Sequence, residues 1–158
     1  MLLAPVLFFF LAGVDLSGTW KMDPGRSESA HQAVPIGPVV LIVKQTPAEI
    51  TIETRRTEAG KKEAQVEVLP FLLNGAETNT KVADTPVKTK AHWEGEKLIT
   101  ETERVVNGAS VTTRNVHTLN AASKELKIEK TLTVQHGYQF EGSKSYGTGT
   151  DIFVKSGK

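Results

Sequence analysis

Between Leu16 and Lys155 no stretch of eleven or more residues repeats apolar positions at helical spacing. Apolar and polar residues alternate with period two instead, and turn signals interrupt them at short intervals. Thr, Val and Ile supply 41 of the 158 residues, and β-branched side chains suit pleated, half-buried surfaces. A chain patterned this way has to fold as strands. Alternation and turns predict strands at Leu16–Met22, Pro38–Lys44, Glu49–Arg56, Lys62–Leu69, Asn79–Val82, Val87–Trp93, Lys97–Val106, Ala109–Leu119, Glu125–Gln135, Tyr138–Gly142 and Thr150–Lys155. The links are short, among them Thr46-Pro47, Ala59-Gly60, Asn74-Gly75, Glu94-Gly95, Asn107-Gly108 and Asn120 to Lys124. About ten consecutive strands joined by tight turns form an antiparallel up-and-down meander, which removes its exposed edges by closing into a barrel. The expected fold is therefore all-β, a single antiparallel up-and-down β-barrel of about ten strands.

Turn chemistry sets which side chains face the interior. Asn107-Gly108 suits a two-residue type I′ turn, in which both positions need positive φ. It pairs Val106 with Ala109, Arg104 with Val111, Thr102 with Thr113, Thr100 with Asn115 and Leu98 with His117, all on one face. The other face sets Glu101 against Arg114, an ion pair suited to solvent. The Thr-rich set is therefore inside. A Glu94-Gly95 turn extends the pattern, placing Ala91 opposite Leu98 and Thr89 opposite Thr100, with Trp93 inward and Lys88 and Lys90 outward.

Nineteen Lys and Arg against eighteen Asp and Glu leave a formal charge of +1, without the basic excess that phosphate binding demands. No nucleic-acid partner is expected. The chain has no cysteine, which excludes disulfides, thiolate metal sites and thiol catalysis. Met1 to Val14 is different in kind: twelve of its fourteen residues are apolar and none is charged. That length is too short to span a bilayer but suits the apolar core of an export signal. The expected organisation is an export segment at 1–14 and a barrel domain at 15–158, periplasmic or secreted, with no integral membrane segment in the mature chain. An apolar segment packed on the domain is the alternative.

Leu16-Ser17-Gly18-Thr19-Trp20-Lys21-Met22 resembles the Gly-x-Trp opening of the calycin superfamily, and most closely the first strand of intracellular fatty-acid-binding proteins. Trp93-Glu94-Gly95-Glu96-Lys97-Leu98, followed by the Asn107-Gly108 hairpin, is similar to the rear strands of such barrels, and bacterial exported lipocalin-like domains also look like this. The resemblance implies structural roles for Gly18, which permits close backbone approach, and for Trp20, which plugs the narrow end. Trp93 joins them as a structural residue. Departures affect the ligand site. The resembled family inserts a helix–turn–helix lid after the first strand, whereas Asp23 to Gly37 is fifteen residues with Pro24 and Pro35. Its terminal Arg-x-Tyr clamp has no counterpart in Thr150-Asp151-Ile152-Phe153-Val154-Lys155.

The same inside-outside parity turns Ile50, Ile52, Thr54 and Arg56 inward on one strand, and Leu126, Ile128, Lys130, Leu132 and Val134 on another. The candidate ligand-binding set is Arg56, Arg104, His117 and Lys130 with Thr100, Thr102, Thr113 and Asn115. Glu96, near a turn, is the one candidate inward carboxylate. Buried cations without partners are costly, so water or an anion has to accompany them. This predicts non-catalytic binding of a small, largely apolar, anionic molecule resembling a fatty acid. The competing reading sends Arg56 and Arg104 to solvent from strand ends and makes the protein a filled interaction or structural module of the cell envelope. A cavity of roughly 300 Å³ or more separates the two. His31, His92, His117 and His136 have no ligand spacing, so no metal is expected. Without a nucleophile elbow or phosphate loop, no catalytic residue and no cofactor are expected. Gly147-Thr148-Gly149-Thr150 reads as a flexible connection, and Tyr138 and Phe140 share a face that either gates a mouth or packs in the core.

Overall fold

The computed structural model describes residues 14–31, 36–136 and 144–157. Ten strands follow one another: β1 (Gly18–Met22), β2 (Ile36–Gln45), β3 (Glu49–Glu58), β4 (Ala64–Leu72), β5 (Thr78–Val82), β6 (Thr85–Glu94), β7 (Lys97–Val106), β8 (Ala109–Asn120), β9 (Glu125–Gln135) and β10 (Lys144–Lys155). Two 3-10 turns, Pro24–Arg26 and Glu28–His31, lie between β1 and β2. The sheet order is β4-β3-β2-β1-β10-β9-β8-β7-β6-β5, every pair antiparallel. Sequence neighbours pair throughout except at β4 and β5, and β1 joins β10. The result is a nearly closed up-and-down barrel. No helix among the described residues is long and apolar enough to cross a membrane.

The seam between β4 and β5 has no ladder but is not empty. Thr89 Oγ1 donates to the Pro70 carbonyl at 2.5 Å, and the Gly75 amide donates to the Ala91 carbonyl at 2.9 Å. From inside, Arg104 of β7 reaches Glu67 of β4 at 2.7 Å.

The Asn107-Gly108 hairpin has the expected register, from Val106 opposite Ala109 to Leu98 opposite His117, with φ of 49° and 78° at the two turn residues. Glu101 and Arg114 sit across from each other on the solvent face, 3.9 Å apart. The preceding turn differs from the expected Glu94-Gly95 pair. Its two loop residues are Gly95 and Glu96, Glu94 pairs with Lys97, and so Ala91 faces Thr100 while Thr89 faces Thr102. Gly95, at φ 60°, takes the first loop position. Moving the turn by one residue shifts cross-strand partners by two, so the inside-outside assignment survives.

β10 is the second correction. It begins at Lys144, and Gly147 and Gly149 are strand residues paired with Leu132 and Lys130, not a flexible connection. The expected strand Tyr138–Gly142, the proposed face of Tyr138 and Phe140, and residues 1–13 of the export segment lie outside the described residues.

One end of the barrel is filled by Leu16, Trp20, Ile50, Leu98 and Leu126, all almost fully buried. Trp20 Nε1 donates to the Leu16 carbonyl at 2.9 Å, which satisfies the indole's one polar group inside the core. Gly18, at φ 136°, lies against the Lys155 side chain, not against backbone. The Lys155 ammonium stands 5.5 Å from the Trp20 ring centroid. Trp93 is half-buried against this core.

Gly37, at the bulge where β2 leaves register with β3, would place a Cβ 1.9 Å from the Thr57 carbonyl oxygen. Backbone has to move to admit it. Gly37→Ala is expected to cost about 1–3 kcal/mol in urea unfolding, as overpacked sites do.

Candidate functional site

Above the plug, inward side chains leave a cavity of about 420 Å³. Strand parity places its lining. β2 and β3 contribute Val39, Leu41, Ile52, Thr54 and Arg56, and β4 contributes Glu67, Leu69 and Phe71. All eight residues of the candidate set line this one space: Arg56, Thr100, Thr102, Arg104, Thr113, Asn115, His117 and Lys130. Two carboxylates, Glu67 and Asp151, line it as well, whereas Glu96 is exposed in its turn. The expectation that Glu96 was the one inward carboxylate is therefore corrected.

The charges are arranged unequally. Arg104 is spent on Glu67. It points inward and is about one-quarter exposed, so it does not escape to solvent from its strand end. Asp151 is buried and accepts from the Ser29 amide at 2.9 Å and the Ser29 hydroxyl at 2.6 Å. It thereby holds the second 3-10 turn over the barrel. Ser27 secures the same turn by exchanging hydrogen bonds with the Ile152 backbone, and Arg26 pairs with Glu125 at 2.6 Å. Arg56 lines the cavity from an exposed rim position and has no ion pair among the described residues. The same holds for the Lys130 ammonium, half-buried on β9. Burial pushes the Lys130 pKa down, the nearby Asp151 charge opposes that shift, and Arg56 adds to it. Counting Arg56, Arg104 and Lys130 against Glu67 and Asp151 leaves the lining with one formal positive charge in excess.

His117 is buried at the cavity wall, and its Nδ1 lies 3.1 Å from the Leu98 carbonyl. A carbonyl only accepts, so Nδ1 carries the hydrogen and Nε2 keeps its lone pair. Burial lowers its pKa to about 4, against the partial compensation of that hydrogen bond. The ring is neutral at pH 7. The unfolded chain takes up this proton below about pH 6.5 while the native state resists until about pH 4, so stability falls with acidification across that window. About 3 kcal/mol, present above pH 6.5, is expected to be lost by pH 4. Urea melts between pH 7 and pH 4.5 check this, and His117→Leu should flatten the slope.

Among the described residues no group of three or more His, Asp or Glu could hold a metal ion. His92 is exposed and pairs with Glu94 at 3.1 Å.

A ten-stranded antiparallel barrel opened by a seam, with a Trp plug below and a polar-apolar cavity above, is a calycin-like barrel of the fatty-acid-binding-protein type in fold. Solved structures agree. A secretory abundant heat soluble protein of Ramazzottius varieornatus superposes with a TM-score of 0.56 at 16% identity, over 89% of this chain and 95% of that one. The fluorescent protein UnaG gives 0.51 at 16% identity, over 89% and 97%. A Schistosoma mansoni fatty acid binding protein in complex with arachidonic acid gives 0.52 at 17% identity, over 89% and 96%. No family model matches the sequence, and no curated protein matches it significantly. Likeness at these identities concerns the fold.

Proposed function

We propose that this barrel binds and carries a small amphipathic monoanion of the fatty-acid type, without catalysing its conversion. The observation that carries this reading is the charge balance of the cavity. Three cations meet two carboxylates, both carboxylates are engaged, and Arg56 and Lys130 are the cations of the lining without an ion pair among the described residues. One carboxylate from a ligand neutralises the excess and relieves the cost of an unpaired, half-buried ammonium. An apolar tail would lie against Leu41, Ile52, Leu69 and Phe71, on β2, β3 and β4. Arg56 offers the planar fork that recognises carboxylates, and Lys130 offers a point charge.

The open interior supports carriage over a filled interaction module, because 420 Å³ lies within the range of small-molecule sites. The Schistosoma mansoni structure, solved with arachidonic acid, shows that a barrel of this fold accommodates such a molecule. The apolar run at 1–14 supports export to the periplasm or beyond, and the Ramazzottius varieornatus neighbour is itself named as secretory.

Native mass spectrometry of the protein from its own host, followed by organic extraction, tests the reading. One co-purified acid per chain is expected, together with saturable uptake of a fluorescent fatty-acid probe. An empty protein that ignores the probe would refute carriage.

A further inference from the structure

The cavity wall also carries acceptors that the protein leaves unused, and an anion does not satisfy them. Asn115 of β8 stands between Thr100 of β7 and Lys130 of β9. Its Oδ1 is buried without a hydrogen-bond partner among the described residues. Two residues along the same strand face, His117 has spent its one N–H on the Leu98 carbonyl, so Nε2 is a second acceptor without a partner among the described residues. Opposite Lys130 on the other side, Gly149 contributes no side chain of its own, and the Glu28 side chain lies over it. The site thus sets a donor, Lys130, beside the acceptors Asn115 Oδ1 and His117 Nε2, with Arg56 lining the same cavity from β3.

A plain carboxylate is acceptor-only. It serves the two cations and leaves both acceptors dry, at the cost that buried unsatisfied polar atoms carry. A ligand that serves both sets has to bring a hydroxyl. The spacing says where. Asn115 and Lys130 are direct cross-strand neighbours, with Cβ atoms about 5 Å apart, and His117 lies about 7 Å further along the strand. A hydroxyl two or three bonds from the carboxylate falls within that reach, whereas one at the far end of an acyl chain does not.

We propose that the cavity is built for an amphipathic acid bearing a hydroxyl on one of the first carbons after its carboxylate, the class of 2- and 3-hydroxy acyl acids, with Asn115 as the residue that selects it. This rests on the reading that the cavity holds an anionic amphiphile, and it narrows that reading to one chemical class. Asn115 confers specificity and not charge neutralisation. Its removal should therefore abolish the preference between ligands.

The test is competition of tetradecanoic acid and 3-hydroxytetradecanoic acid for a bound fluorescent fatty-acid probe, with the full chain and with Asn115→Leu. The hydroxy acid is expected to bind about tenfold tighter to the wild-type protein. Asn115→Leu should bring the two acids together, read as the ratio of their affinities in the same protein. Separate enantiomers of the hydroxy acid give a measurement that needs no variant, since a hydroxyl seated between Asn115 and His117 has one hand. Equal affinities for the plain acid and both enantiomers would overturn the specificity and leave the anion reading standing. Failure of every acid to displace the probe would overturn both.

Discussion

Replacing Arg56 and Lys130 together by methionine is expected to weaken binding of a fatty-acid-like anion by about a hundredfold, as loss of the charge partners of a bound anion does. The two substitutions change the formal balance of the lining from one positive charge to one negative. Arg104 does not compensate, because its guanidinium is 2.7 Å from Glu67 and a ligand would have to displace that carboxylate. Asp151 does not move aside, because it holds Ser29 through two hydrogen bonds. An incoming carboxylate then meets one engaged cation, Arg104, and two carboxylates. Methionine keeps most of the side-chain volume and removes an ammonium whose desolvation disfavours the charged form, so the fold should not weaken. Displacement of a fluorescent probe measures the loss. A long-chain alcohol supplies the control: without a carboxylate it should bind the double variant as well as the wild-type protein. Equal losses for acid and alcohol would mean that the cavity had collapsed, and unchanged affinity for the acid would mean that these cations do not seat it.

The placement of these cations was readable from the sequence, whereas the carboxylates facing them were not. Asn107-Gly108 demands two positive φ values in succession, and few other local structures accommodate that, so parity on β7 and β8 follows directly. Gly95 demands only one, and a single glycine fits more than one turn position. That is why the neighbouring register came out two residues away, with faces intact. Glu67 was hidden by its neighbours. Apolar content alone points Val66 and Val68 inward, yet both are about half exposed, and pairing with β3 sets Glu67 opposite the inward Thr54. Asp151 was hidden by glycine. Gly147 and Gly149 look like a connection because they carry no side chains to show alternation, although Gly147, Gly149, Asp151 and Phe153 form one inward row. Ser29 had no local signal at all. Its importance comes from a contact 122 residues away along the chain, which strand periodicity does not encode.

Trp20→Ala is expected to destabilise the protein by about 3–5 kcal/mol, the range for emptying an aromatic site in a packed core. Trp20 is 1% exposed and is surrounded by core residues from β2, β3, β4 and β10, among others. Its position is also fixed by chemistry specific to an indole, since Nε1 donates to the Leu16 carbonyl before β1 begins. Trp20→Phe keeps most of the ring but leaves that carbonyl without its donor, so it should recover most of the stability but not all of it. Lys155, whose ammonium faces the ring, adds a smaller contribution at the point where β10 returns to β1. Small domains have about 5–15 kcal/mol in total, so the alanine variant would unfold at markedly lower urea. The plug and the ligand site should separate in these experiments. Trp20 lies outside the cavity lining, so the fraction of Trp20→Phe that remains folded should bind ligand with wild-type affinity. A variant that loses affinity in proportion to stability would instead make the plug part of the site, with its packing transmitted to the cavity floor through Leu41, which lies opposite Trp20 on β2 and lines the cavity.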